Sequence, residues 1–213
     1  MSNSSFTIEL VPQPTENQLT RIEEIYTVSF PPEVRISFDK VCANIRARQR
    51  DLYLVNQGRI PIGFALVARF RTSQAGYGEY IAIAPEYRNQ GAGSALLQHL
   101  WNVLRESRIP GFIFEVDPED EGIGEERQLR KRRIGFYQRN GAALVNCAPV
   151  YVMPDLNGPG SLRLRLMWIP LSDGPQELHG ELLRSCICDL YMQIYERGPD
   201  DPLLQAILEQ LVC

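Results

Sequence analysis

The 213-residue chain has no apolar run approaching the roughly 18 residues of a membrane span. Its first residues, Met-Ser-Asn-Ser-Ser-Phe, carry neither a basic region nor a long apolar core, so a secretory leader is not expected. A basic excess is also missing. The 22 Lys and Arg stand against 26 Asp and Glu, a net charge of −4, which argues against a nucleic-acid binder. There are only two histidines, His99 and His179, both on helix faces away from the motifs described below, and neither is assigned a role. The five cysteines, Cys42, Cys147, Cys186, Cys188 and Cys213, are odd in number and lack zinc-site spacing. Cys186 and Cys188, one residue apart, fit a buried helix as small hydrophobes. A reducing, cytoplasmic location is the expectation.

What is present is ordinary globular composition, 44% hydrophobic and 23% charged, without repeats or low-complexity tracts. The pattern predicts a strand over Phe6–Leu10, then a helix over Glu16–Ser29 with Leu19, Ile22, Ile25 and Tyr26 on one stripe. Pro31 and Pro32 stop that helix, and a second covers Ser37–Gln49. Leu52–Val55 and Ile60–Phe70 read as a hairpin turning at Asn56, Gln57 and Gly58, with Pro61 near the start of its second strand. A strand over Tyr80–Ile83, a helix over Gly91–Ser107, a buried strand over Phe112–Val116 and a helix over Glu125–Asn140 follow, the last ended by Gly141. Ala143–Val145, Val150–Met153 and Leu162–Ile169 are extended. The last of these alternates Leu162, Leu164, Leu166 and Trp168 against Arg163 and Arg165. A long helix over Pro175–Arg197, with Leu178, Leu182, Cys186, Leu190 and Ile194 at every fourth position, and a short one after Pro202 complete the chain. Mixed strands and crossover helices point to a single α/β sandwich of the α+β type.

Chemistry concentrates first in Ile81-Ala82-Ile83-Ala84-Pro85-Glu86-Tyr87-Arg88-Asn89-Gln90-Gly91-Ala92-Gly93-Ser94. An apolar strand runs into a Pro-containing turn, an Arg and two glycines, and then an amphipathic helix. Glycines leave backbone N–H groups uncovered at a helix N-terminus, where the dipole favours anions, and Arg88 adds positive charge. That arrangement suits a pyrophosphate. A tight helix start is the other reading of Gly-x-Gly alone. Without Gly-Lys-Ser/Thr the loop is not of the Walker type. Without a third small-residue step and an acidic strand end it is not a dinucleotide fingerprint.

At Arg88–Gly93 the chain resembles the GNAT family of N-acetyltransferases, whose signature is Arg/Gln-x-x-Gly-x-Gly/Ala after a strand. The resemblance implies one GNAT-like domain over residues 1–170, with a mixed, mostly antiparallel sheet splayed at the acetyl-CoA site and flanked by helices. Residues 171–213 form a C-terminal helical extension, packed on the same domain or on a dimer partner. It implies that Arg88, Asn89, Gln90, Gly91, Ala92, Gly93 and Ser94 hold the CoA pyrophosphate. It implies too that the backbone of Ile81, Ala82 and Ile83 pairs with the pantetheine arm.

A second match, Ile134-Gly135-Phe136-Tyr137-Gln138-Arg139-Asn140-Gly141-Ala142, resembles the family's Phe/Leu-Tyr-x-x-x-Gly-Phe helix end. Carried over, Tyr137 is the acid that protonates the departing thiolate. A phenol with an ordinary pKa of about 10 is protonated at neutral pH. Two positions depart from the pattern: Ala142 replaces the phenylalanine, and Arg130 stands near the family's cofactor-touching asparagine, amid Arg127, Lys131, Arg132 and Arg133. The helix presents either a phosphate contact or a solvated basic face. Glu79 and Glu115 are the candidate general bases, and a water chain is the alternative. Cys147 as an acyl carrier has no activating base beside it.

For the acceptor, Phe30 and Tyr151 line an apolar cleft or simply pack the core, and the acidic run Asp117–Glu121 either attracts a cationic amine or is solvated. The expected activity is transfer of acetyl from acetyl-CoA to a primary amine of a small molecule by direct attack. Acetylation of a protein N-terminus or lysine, and a non-catalytic acyl-CoA-binding module, are the alternatives. No nucleic-acid or membrane partner is expected, and the chain is a monomer or a homodimer.

Overall fold

The protein is described by a computed structural model over residues 6–146 and 151–211. Cys147, Cys213 and Val150, the expected start of one strand, lie outside the described residues. The strands are β1 (Phe6–Leu10), β2 (Asp51–Gln57), β3 (Ile60–Arg69), β4 (Gly76–Ile83), β5 (Gly111–Val116), β6 (Ala143–Leu144), β7 (Tyr151–Pro154) and β8 (Ser161–Pro170). The helices are α1 (Glu16–Ser29), α2 (Phe38–Arg46), α3 (Ala92–Glu106), α4 (Glu125–Arg139), α5 (Gly180–Asp189) and α6 (Pro202–Gln210). The fold is mixed α/β with a mostly antiparallel sheet flanked by helices. Among the described residues its order is β1-β2-β3-β4-β5-β8-β6, with β7 also on β8. No described helix is long and apolar enough to cross a membrane. The chain packs as two compact units, residues 1–68 with 78–103, and residues 69–77 with 104–213.

In the first unit, β1 and β3 flank β2 in antiparallel register. The hairpin turns at Gly58 and Arg59, one position later than the sequence suggests, because a bulge between Val55 and Asn56 lets β2 continue to Gln57. Pro61 faces Asn56 at that irregularity, where its missing N–H is tolerated. Thr15 caps α1 with a reciprocal Thr15–Gln18 capping box. Ile22, Ile25 and Tyr26 of α1, and Val41 and Ile45 of α2, bury against Leu52, Leu54, Phe64, Leu66, Tyr80 and Ala82 of the strands. Sequence periodicity carries α2 to Gln49, but the helix ends at Arg46. Arg48 N–H donates to the Ile45 carbonyl at 3.0 Å and Gln49 N–H to that of Asn44 at 2.9 Å, a Schellman ending with Arg48 at φ +54°.

In the second unit, β8 is the organising strand. It pairs with β5 from Gly111↔Pro170 to Val116↔Arg165, and also with β6 and β7. One face joins Phe112 and Phe114 with Met167 and Ile169, and the other carries Ile113, Leu166 and Trp168, all of them buried. α4 ends in a second Schellman pair, Gly141 N–H to the Gln138 carbonyl and Ala142 N–H to that of Tyr137, with Gly141 at φ +95°.

Residues 171–211 belong to this same unit. The expected Pro175–Arg197 helix starts only at Gly180, and α5 passes at Leu190 into a π-helical turn, Leu190–Ile194. The buried positions are Leu183, Cys186, Ile187, Leu190 and Tyr191, a spacing of three and four, so the every-fourth-residue stripe does not describe the buried face. Leu182 and Ile194 are only half-buried. The structural cause is Asp189, fully buried at the end of α5. Its carboxylate accepts from Ser73 N–H (2.8 Å), Ser73 Oγ (2.9 Å), Thr72 N–H (3.2 Å) and the Gln193 amide. Burial pushes the Cys186 thiol up to about 12, so it packs as an inert hydrophobe.

A non-glycine residue at φ +54° carries a strain of order 1 kcal/mol. Arg48→Gly is therefore expected to raise the thermal midpoint by about 2–4 °C. An unchanged or lowered midpoint in a melt contradicts this account of how α2 ends.

Candidate functional site

In the first unit, β4 leaves the sheet at Ile83 and a 3₁₀ turn, Pro85–Tyr87, delivers the chain to α3. Arg88 is held by Nε donating to the Ile83 carbonyl at 2.9 Å and Nη2 donating to Ser29 Oγ at 3.3 Å. Asn89 and Gly91 take positive φ, +61° and +89°, which turns the chain into the helix. Ala95 N–H closes the first α turn on the Gly91 carbonyl at 3.0 Å. The N–H groups that begin a helix have no partner within it. No atom lies within 4 Å of where a Cβ on Gly91 would stand, so that side of the helix start is open. Arg88, Asn89, Gln90 and Gly91 are exposed, Gly93 and Ser94 half-exposed, and Ala92 packs inward. The loop therefore brings together backbone donors, a helix dipole and a fixed guanidinium, an arrangement that suits an anion. On β4, Ala82 is buried, while Ile81 and Ile83 are half-exposed on the alternate face.

Glu79 also lies on β4, but Arg50 Nε donates to its Oε2 and both side chains are nearly buried, at 10% and 6% exposure. That carboxylate is committed to a buried ion pair. Phe30 is half-buried, and its ring packs edge-on against Tyr80 at 4.9 Å and lies 5.7 Å from Tyr26.

In the second unit, α4 presents Tyr137. Its ring rests on Phe114 of β5 at 4.5 Å and beside Phe136 at 5.3 Å. Burial raises its phenol above the ordinary value, Arg133 opposes this, and Asp117 adds to it. The hydroxyl is thus a proton donor throughout the neutral range. Arg130 of the same helix is engaged by Glu126 at 2.6 Å and Glu121 at 3.5 Å, so its guanidinium is spent within α4 and the preceding loop rather than offered to phosphates. The acidic loop is matched charge for charge. Arg133 meets Asp117 (2.6 Å), Arg165 meets Glu119 (3.2 Å), and Arg163 meets Asp120 and Glu121 (3.2 and 3.1 Å). Little unbalanced charge is left to attract a cation over a distance.

Glu115, the other candidate base, stands on β5 inside a ring of phenols. Its Oε1 accepts from Tyr151 at 2.7 Å and from Tyr195, and its Oε2 accepts from Tyr77 at 2.7 Å. The Tyr151 and Tyr195 hydroxyl oxygens themselves lie 2.8 Å apart. Tyr151 is 1% exposed, which corrects its expected place on a cleft wall: it is a buried donor to Glu115. Tyr77, Tyr195 and Arg50 are functional neighbours that the sequence reading missed. No motif marks Tyr77 or Arg50, and Tyr195 falls outside the apolar repeat that was followed there.

Residues 48–141 match the acetyltransferase (GNAT) domain family. Over that span the chain is similar to a GNAT acetyltransferase domain. The matched span contains the Arg88–Ser94 loop, Glu79, Glu115 and Tyr137, whereas Phe30, Tyr151 and Tyr195 lie outside it. Solved structures share the fold. A GNAT-family protein from Bacteroides thetaiotaomicron is 25% identical with a TM-score of 0.70, over 90% of this chain and 99% of that one. The ribosomal-protein-S18-alanine N-acetyltransferase of Escherichia coli is 20% identical with a TM-score of 0.56, over 83% and 100%. The yncA protein of Salmonella typhimurium, solved with its cofactor acetyl-CoA, is 16% identical with a TM-score of 0.59, over 81% and 97%. No curated protein matches the sequence. The match to an acetyltransferase domain gives this helix start a ligand class, an acyl-CoA.

The Arg50–Glu79 pair yields a stability test, because removing one member of a buried pair strands the other charge. Arg50→Met is expected to cost about 3 kcal/mol in denaturant unfolding, and adding Glu79→Leu to recover most of it. Additive losses in the double variant contradict the pairing.

Proposed function

We propose that this GNAT domain is an N-acetyltransferase that moves acetyl from acetyl-CoA to a primary amine of a small molecule by direct attack. The observation that carries the reading is the open space beside Gly91 at the start of α3, next to a tethered Arg88, a setting that suits an anion such as a pyrophosphate. The loop N–H groups and Arg88 hold the CoA pyrophosphate, and the backbone of Ile81, Ala82 and Ile83 runs along the pantetheine arm. Acetyl-CoA supplies a thioester carbonyl, to which the amine nitrogen bonds as the carbon–sulfur bond breaks.

This chain's residues manage the protons. Glu115 takes the proton that the amine must lose. Of the two candidate carboxylates it is favoured because Glu79 is committed to Arg50, whereas Glu115 accepts from the Tyr77 and Tyr151 hydroxyls, which align it. Tyr137 gives its hydroxyl proton to the thiolate sulfur; its half-buried phenol stays protonated at neutral pH and so has a proton to give. A carboxylate enclosed by Tyr77, Tyr151 and Tyr195 favours a compact ammonium over a folded protein surface. Acetylation of a protein N-terminus is the second reading, suggested by the shared fold of the Escherichia coli S18-alanine N-acetyltransferase.

The test is thiol release from acetyl-CoA across a panel of small amines and short peptides. Small amines are expected to turn over. Tyr137→Phe is expected to bind acetyl-CoA within about threefold of the parent while turning over about 10²–10³-fold more slowly. Unchanged turnover in that variant contradicts the acid role, and turnover of peptides alone moves the second reading to the front.

A further inference from the structure

The C-terminal segment reaches the carboxylate that the proposed reaction uses. Tyr195 directly follows the π-helical turn, and its N–H donates to the Leu190 carbonyl at 3.0 Å. The extra residue in that turn lets two tyrosines four apart take different partners. Tyr191 donates to the Val152 carbonyl at 2.6 Å, and Tyr195 donates to Glu115. Their rings meet edge-on at 5.3 Å. π turns recur where a helix has to present a functional side chain. Further back, Asp189 fixes the segment by its bonds to Thr72 and Ser73, so Tyr195 approaches Glu115 from a rigid support.

We propose that Tyr195 and Tyr151 are positioning residues for acyl transfer: their hydroxyls hold Glu115 as an aligned, ionised carboxylate, which makes the C-terminal segment part of the catalytic machinery. This rests on the reading of Glu115 as the proton acceptor. The physical need is clear. Burial beside phenol rings disfavours a carboxylate, and donated hydrogen bonds restore the ionised form without neutralising it, as an arginine would. Among the groups facing Glu115 are Tyr77 from β4, Tyr151 from β7, and Tyr195 with Tyr191 behind it from the C-terminal segment. Tyr191 in turn senses Asp201, Glu115 and Arg197. Burial first, and then the charge of Glu115, push Tyr151 and Tyr195 well above the ordinary phenol value, so both remain donors across the working pH range.

The sign of the effect follows. A base must be ionised, so the amine kcat/KM rises with pH through the pKa of Glu115. Removing a donor to the ionised form raises that pKa and moves the acid limb to higher pH. A hydrogen bond to a charged group is worth about one to two pH units of such a shift. Tyr195→Phe is expected to move the limb up by about one pH unit, and Tyr151→Phe/Tyr195→Phe to move it further. Tyr191→Phe, which loses a buried phenol hydrogen bond of the same segment but not one to Glu115, is expected to lose similar stability with no shift of the limb. The carboxyl ¹³C resonance of Glu115 gives a readout independent of turnover, and its titration is expected to move with the limb. An unmoved titration and limb in Tyr195→Phe, or an equal shift in Tyr191→Phe, would overturn the proposal. A moved titration in a parent protein that acetylates no amine would instead sink the acetyl-transfer reading on which it rests.

Discussion

A carboxylate that a strand turns inward must find donors or be lost as a charge. On β5 the alternation of side chains sends Phe114 toward Tyr137 and Glu115 to the opposite face. Most of the second unit is arranged so that Glu115 is met. β7 brings Tyr151 to it, the start of β4 brings Tyr77, and the C-terminal segment brings Tyr195. β8 holds β5 and β7 in one register, so the two residues facing each other through that network are fixed by backbone pairing rather than by side-chain packing alone. Asp189 repeats the solution. Another buried carboxylate, satisfied by the backbone of Thr72 and Ser73, ties the helical tail to the same unit. A strand with an apolar contact to Tyr137 on one face and a polar ring around Glu115 on the other follows from these constraints.

The two units do different work. The first offers backbone: a glycine with an open side, a helix start and an arginine tethered to Ile83 and Ser29. Such donors carry partial charge in fixed directions and need no rearrangement when an anion arrives. The second offers side chains with protons to give and take. Its abundant surface charge is paired off locally, with Arg130, Arg133, Arg163 and Arg165 each matched to acids of the 117–126 stretch. The charges left for chemistry are those with a designed environment.

How much of this is legible in the sequence depends on distance along the chain. The Arg88–Gly93 loop and Tyr137 are local patterns, since the turn, the glycines and the helix that follow are specified by consecutive residues. The hydrophobic stripes of α1 and α2 were readable for the same reason. Helix ends were not. α2 stops three residues early because Arg48 accepts a left-handed conformation that composition alone assigns to glycine. α5 starts at Gly180 and passes into a π segment next to Asp189, whose carboxylate accepts from Ser73, 116 residues away. The Glu115 ring draws on β4, β7 and the tail, so no window of sequence contains it. Tyr151 was singled out but given the wrong task, since its hydroxyl partner lies 36 residues earlier. Glu79 looked poised until Arg50, 29 residues before it, proved to be its partner.

The central claim is that the helix start at Gly91 is a cradle for the CoA pyrophosphate. It is tested most directly by thermal stabilisation of the protein with acetyl-CoA, with free CoA and NAD as comparators. A ligand that binds only the folded state at one hundred times its Kd adds about 2.7 kcal/mol of apparent stability. The account predicts clear, concentration-dependent shifts with acetyl-CoA and CoA and none with NAD. No shift at saturating acetyl-CoA, or an equal shift with NAD, would contradict it.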